Sequence, residues 1–154
     1  MKIWWGDIML EVKSCCNGEF FKNILIFEKL KEIVCEYGLT FVIDYIKDLE
    51  LYTNLYLKDG QLIGFSCYDV DDYNPKNIVS EVCWFVIKKN KSTLIETKWF
   101  FDETLREMKS RSVKTIKFNC DQRSWGKVQD VFGLFERFGY NTKEDDFYDI
   151  SMDI

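Results

Sequence analysis

No part of this sequence restricts the fold as much as residues 81–118. Residues 81–87 (EVCWFVI) are aromatic and β-branched, the composition of a strand lying against a core. Shortly after, Thr93-Leu94-Ile95-Glu96 spells a capping box. In such a box the threonine hydroxyl accepts from a first-turn amide, and the glutamate carboxylate accepts from the threonine N–H. Leu94, Phe101, Leu105 and Met108 then mark a buried helical stripe, with Trp99 and Phe100 widening it. Residues 113–118 (VKTIKF) alternate apolar and polar side chains, as a strand with one buried face does. A strand, a firmly started helix and a second strand in succession call for a helix layered on a sheet, so the fold class is α+β.

The rest of the chain fits that class. Residues 8–12 read as a first strand, closed by a turn at Ser14-Cys15-Cys16-Asn17-Gly18. Phe20, Ile24, Phe27, Leu30, Val34 and Tyr37 recur at helical spacing, and Gly38 supplies the stop. Thr40 is the expected N-cap of a short second helix reaching about residue 49. Residues 55–57 and 62–68 flank Lys58-Asp59-Gly60-Gln61, whose Asp-Gly pair suits the positive φ angles of a tight hairpin turn. Residues 69–77 are acidic, carry the only proline, Pro75, and read as a loop. Val128, Val131, Phe132 and Phe135 give one more helix, ended by Gly139, and residues 146–154 close the chain as a strand. No repeat, linker or break in composition divides the sequence, and 154 residues suffice for one hydrophobic core. Residues 1–154 are therefore expected to form a single domain.

Charge and composition remove several function classes. Lys and Arg number 21 against 26 Asp and Glu, a net charge of -5, which argues against a nucleic-acid partner because phosphates need a basic stripe. There is no histidine, the commonest general base and metal ligand. The six cysteines, at 15, 16, 35, 67, 83 and 120, contain no CxxC pair, so no metal is expected. Adjacent Cys15 and Cys16 read either as a reactive pair or as packing residues. Asp7 interrupts the apolar start MKIWWGDIML, and no apolar run is long enough to span a bilayer. The expectation is a cytoplasmic chain with reduced cysteines and no membrane partner. Trp4 and Trp5 read either as an exposed interaction patch or as strand residues packed on the sheet.

In element order and in local text the chain resembles the GNAT superfamily of N-acetyltransferases, as a divergent member. YLKDGQLIGFSCYDV resembles that family's second and third strands. EVCWFVIKKNKSTLIETKWFFDETLREMKSRSVKTIKF resembles its central strand, cofactor loop, long helix and fifth strand. VFGLFERFGY resembles the helix ending LYxKxGF, and DDFYDISMDI the closing strand, so the resemblance runs from about residue 55 to the C-terminus. It implies a GNAT-like, mixed, mostly antiparallel central sheet flanked by helices, with two splayed strands that admit acetyl-CoA. It also implies transfer of an acetyl group to an amine substrate. On the matching positions, Glu81 is the candidate general base. Phe85, Val86 and Ile87 lie along the cofactor's pantetheine arm, and Lys91, Ser92 and Thr93 lie where its pyrophosphate meets the long helix's N-terminus.

The resemblance fails at defined places. The family's [RQ]-x-x-G-x-[GA] motif falls on Ser92, Ile95 and Thr97, and none of its residues is present. Glu96 sets a carboxylate where the pyrophosphate belongs, Phe135 replaces the tyrosine that serves as general acid, and Val128 replaces an asparagine. These departures imply a second reading, a catalytically inactive GNAT-shaped module that binds a protein partner, its cleft filled by side chains such as Ile95 and Phe135. Three further features each have two readings. Lys88, Lys89 and Lys91 are phosphate ligands or a solvated turn, and Glu81 is a general base or an exposed strand-end carboxylate. Asp69, Asp71 and Asp72, with Glu144, Asp145 and Asp146, attract an amine or a basic partner, or are solvated loops.

Overall fold

A computed structural model of the protein describes residues 1–15, 22–36, 38, 42–48, 50–118, 135, 137–144 and 150–154. Within them lie strands β1 (Lys2–Trp5) and β2 (Ile8–Cys15), helices α1 (Ile24–Glu36) and α2 (Val42–Asp48), and strands β3 (Tyr52–Lys58), β4 (Gln61–Tyr68) and β5 (Ile78–Ile87). The long helix α3 (Leu94–Ser110) follows, then strands β6 (Val113–Phe118), β7 (Thr142–Glu144) and β8 (Ile150–Asp153). The strands form one sheet in the spatial order β1-β2-β3-β4-β5-β6-β8-β7. Every neighbouring pair is antiparallel except β5 and β6, which run parallel. Parallel neighbours need a crossover rather than a tight turn, and α3 supplies it. Asp59 and Gly60 both take positive φ, 50° and 78°, the geometry the β3–β4 hairpin requires.

The helices cover opposite faces of the sheet. Leu30, Ile33 and Val34 of α1 and Ile46 of α2 pack on Leu55, Leu57, Phe65, Cys67 and Val86. On the other face, Phe100, Phe101, Leu105 and Met108 of α3 pack on Leu10, Val12, Tyr56, Ile63, Phe85, Ile116 and Phe118. β3 is therefore buried on both sides, with Leu55 and Leu57 towards α1 and Tyr56 towards α3. The Tyr56 hydroxyl is fully buried and lies 2.7 Å from Ser66 Oγ and 2.6 Å from Thr104 Oγ1, so strand and helix share one polar contact inside an apolar layer. Burial pushes the Tyr56 phenol above its ordinary pKa and keeps it protonated.

Several boundaries differ from the sequence reading. β1 pairs with β2 through the two-residue turn Gly6-Asp7, so Trp4 and Trp5 are strand residues that also remain exposed. β2 continues to Cys15, which makes Ser14 and Cys15 strand rather than turn, because β3 offers partners as far as Thr53. Helix α1 starts at Ile24 behind Asn23, whose side chain accepts from the Ile26 amide at 3.3 Å, and Ile24 is exposed while Ile33 joins the buried stripe. Leu94 is likewise on the open side of α3. The helix expected around Val128, Val131 and Phe132 lies outside the described residues, as do Cys16, Cys120, the Thr40 cap and residues 145–149. Among the described residues no helix is long and apolar enough to cross a membrane.

Candidate functional site

The register of β5 decides which face each candidate side chain reaches. Against β4, Cys67 pairs with Trp84 and Tyr68 with Val82, so Cys83 is an extra residue forming a β-bulge. The bulge resets the alternation. Val82, Phe85 and Ile87 point into the α3 core, whereas Val86, with Trp84 beside it, packs under α1 and α2. Glu81 sits inside β5, not at its start, because the strand begins at Ile78. It is exposed, its amide donates to Asp69 Oδ1 at 3.0 Å, and its register neighbour on β6 is Lys117.

Among the described residues, the parallel ladder runs as far as the bulge in β5. Its last pair is Val82 with Phe118, while β5 runs on to Ile87 in step with β4, finishing at Gly64 opposite Ile87. Bulges bend and twist a strand, so β5 bends at Cys83 while keeping its pairing with β4 as far as Ile87. Gly64 is required there: a Cβ would collide with the Val86 carbonyl oxygen and lie 3.1 Å from Ile87 Cα.

After Ile87 the chain turns into α3. The Lys88 amide donates to the Ile63 carbonyl at 2.8 Å, the Lys91 amide closes the turn on the Lys88 carbonyl at 3.2 Å, and Asn90 takes φ of 65°. Lys88 Nζ pairs with Glu36 at 3.3 Å in a partly exposed ion pair, whereas Lys89 and Lys91 are exposed. The capping box forms as the sequence dictates. Thr93 Oγ1 accepts from the Glu96 amide at 3.2 Å, and Glu96 Oε1 accepts from the Thr93 amide at 2.8 Å. Lys58, at the end of β3, adds its ammonium to the same Glu96 oxygen at 2.9 Å.

The Glu96 side chain is only 5% exposed. Burial alone would raise its pKa, but the Thr93 amide and the Lys58 ammonium outweigh that and hold the carboxyl below its ordinary value. Of the three motif positions, Ser92 Oγ and Thr97 Oγ1 lie 3.0 Å apart, with Thr97 buried, and Ile95 is 64% exposed. Ile95 therefore fills no cleft. Its amide and that of Leu94 are the first two of the helix and have no acceptor among the described residues, so the N-terminus of α3 keeps two open donors.

Phe135 is buried, and its ring packs at centroid distances of 4.7 Å from Phe101 and 5.2 Å from Phe118. Of the two tyrosines nearest in sequence, Tyr148 lies outside the described residues. Tyr140 donates its hydroxyl to Asp102 Oδ1, and Lys98 pairs with Asp102 Oδ2 at 2.7 Å. Burial, and then the Asp102 carboxylate, raise the Tyr140 pKa above the ordinary phenol value. That phenol is held as a donor to α3 and is ill matched to release a proton near neutrality. Tyr140→Phe is expected to lower stability by about 1 kcal/mol, read from urea unfolding, since one hydrogen bond to a charged group is lost. Among the described residues no group of three or more His, Cys, Asp or Glu side chains gathers as metal ligands.

No protein-family model matches the sequence, and no curated protein matches it. Solved structures do match its shape. The structure of Tetrahymena Gcn5 aligns with a TM-score of 0.67 over 94% of this chain and 96% of its own, at 15% identity. An acetyltransferase of the GNAT family from Listeria monocytogenes aligns over 100% of both chains, with a TM-score of 0.56 and 13% identity. The chain has the GNAT fold. The PaiA N-acetyltransferase of Thermoplasma acidophilum, solved in complex with coenzyme A, aligns with a TM-score of 0.55 over 94% of this chain and 97% of its own, at 15% identity. Within the GNAT fold, the turn at residues 88–92 joins the end of β5 to the start of α3, and the bulge at Cys83 lies four residues before that end.

One residue of this site escaped the sequence reading. Lys58 looks like a hairpin lysine, and Glu96 is 38 positions away, so only the packing of α3 beside β3 brings them together. The capping box does show that Glu96 turns back on its own N-terminus, but no local signal names its cation.

Proposed function

We propose that the chain is an acyl-CoA-dependent N-acyltransferase that uses acetyl-CoA to acetylate an amine. The observation that carries this reading is the N-terminus of α3, whose first two amides have no acceptor among the described residues, following a central strand that bulges at Cys83 within the GNAT fold. The residues present fit the group, with a different set of contacts from the family's glycine-rich cradle. The backbone of Phe85, Val86 and Ile87 would hold the pantetheine arm. The open Leu94 and Ile95 amides, with Lys91, Ser92 and Thr93 at the turn, would meet the phosphates. Glu96 repels them less than a bare carboxylate would, because Lys58 already neutralises it at 2.9 Å.

When bound, the thioester supplies an activated acetyl group. Glu81, open to water on the α1 side of β5, would take the proton released by the acceptor's ammonium. Orientation of a neutral amine does most of the remaining work, so a tyrosine at position 135 is not needed for turnover.

Calorimetric titration with acetyl-CoA, paired with an assay for free thiol in the presence of simple polyamines, tests the proposal. Binding in the micromolar range is expected, and Lys91→Ala should weaken it several-fold because one phosphate contact is removed. No heat with acetyl-CoA at high micromolar concentration would sink the proposal and leave the inactive, partner-binding module as the reading of this fold.

A further inference from the structure

Among the described residues, the outermost strand, β1, has β2 on one side and no strand on the other. Met1 and Val12 exchange both backbone hydrogen bonds, Val12 N–H to the Met1 carbonyl at 2.9 Å and the Met1 amine to the Val12 carbonyl at 3.0 Å. In an antiparallel ladder such pairs alternate, so Ile3 with Leu10 and Trp5 with Ile8 also face inward. Lys2 and Trp4 therefore turn their N–H and C=O groups outward, to the open edge. Trp4 is 67% exposed, Met1 63% and Trp5 42%.

From this edge we infer that the protein forms a two-fold homodimer through antiparallel pairing of β1 with the β1 of a second copy. The register is self-complementary. With the axis at Ile3, Lys2 of each copy lies directly opposite the second copy's Trp4, and the outward groups of these two residues form four hydrogen bonds across the seam. Ile3 then meets Ile3, and Trp5 meets Met1, so all three exposed apolar residues of the hairpin are covered in one step. Lys2 and Trp4 share the face that bears Glu11, and Lys2 Nζ already lies 3.4 Å from Glu11. In the pair, each ammonium has its own Glu11 on one side and the second copy's indole on the other, a favourable cation–π arrangement.

Sedimentation equilibrium across a concentration series, with circular dichroism to verify folding, tests this. The wild-type chain should dimerise at micromolar concentration. Trp4→Lys sets a lysine opposite the second copy's Lys2 and should weaken dimerisation at least about tenfold. Trp4→Pro removes an outward N–H without touching the β1–β2 bonds and should do the same, since proline is tolerated at such edge positions. A wild-type chain that stays monomeric at hundreds of micromolar overturns the inference. So do folded Trp4→Lys and Trp4→Pro variants that dimerise as well as wild type.

Discussion

Replacing Gly64 with alanine is expected to cost about 3 kcal/mol or more of stability, because the close approach of β4 to the end of β5 leaves no room for a Cβ. The added carbon would meet backbone, the Val86 carbonyl oxygen and Ile87 Cα, and backbone cannot swing aside as a flexible side-chain tip can. The two strands must separate at the Gly64–Ile87 pair, which sits directly ahead of the Lys88–Lys91 turn. Urea unfolding should show the loss as a lowered midpoint. Acetyl-CoA titration of the surviving folded fraction should show weaker binding, since the backbone of Val86 and Ile87 moves. A Gly64→Ala chain as stable as wild type would mean that β4 and β5 lie further apart here than the structure has them.

Glu96→Ala should have the next largest effect, a loss of about 2 kcal/mol from the broken capping box and the stranded Lys58. Lys58 remains partly exposed and regains water, which keeps the cost below that of a fully buried pair. The effect depends on pH with a defined sign. The folded-state pKa of Glu96 is depressed from its ordinary 4.5, so the stabilisation is complete above that value and is lost as pH falls through the lower folded-state pKa. Wild type and variant should therefore differ at neutral pH and converge in acid, as read from unfolding curves at a series of pH values. Glu96→Gln retains an acceptor for the Thr93 amide, so it should lose less stability. It also removes the negative charge, so it should bind acetyl-CoA more tightly than wild type.

The fold was legible where chemistry is local. Thr93 and Glu96 announce the start of α3, and Asp59-Gly60 announces the β3–β4 hairpin, because a cap and a turn are each made within four consecutive residues. Long-range facts were legible only as far as the family resemblance carried them, as with the mixed sheet. Bulges leave no mark in a single sequence: nothing in residues 81–87 tells that Cys83 is the extra residue, so the faces reached by Glu81 and Phe85 could not be assigned from alternation. The Glu96–Lys58 and Tyr140–Asp102 contacts were hidden for the same reason, since each joins groups 38 positions apart. Ile95, which looked like a plug from its bulk, points to water because it falls on the outer side of the first turn of α3.

The buried contact among Tyr56, Ser66 and Thr104 also fixes how α3 can lie on the sheet. Its apolar stripe alone would tolerate a slide by one helical turn, since Phe101, Leu105 and Met108 recur at that interval. Such a slide would break the helix-to-sheet hydrogen bond between Tyr56 and Thr104, at about 1 kcal/mol, while Tyr56 keeps Ser66 and Thr104 keeps the Phe100 carbonyl. A few oxygen atoms thus bias a greasy interface towards one seating of α3, and that seating sets where its first turn meets the end of β5.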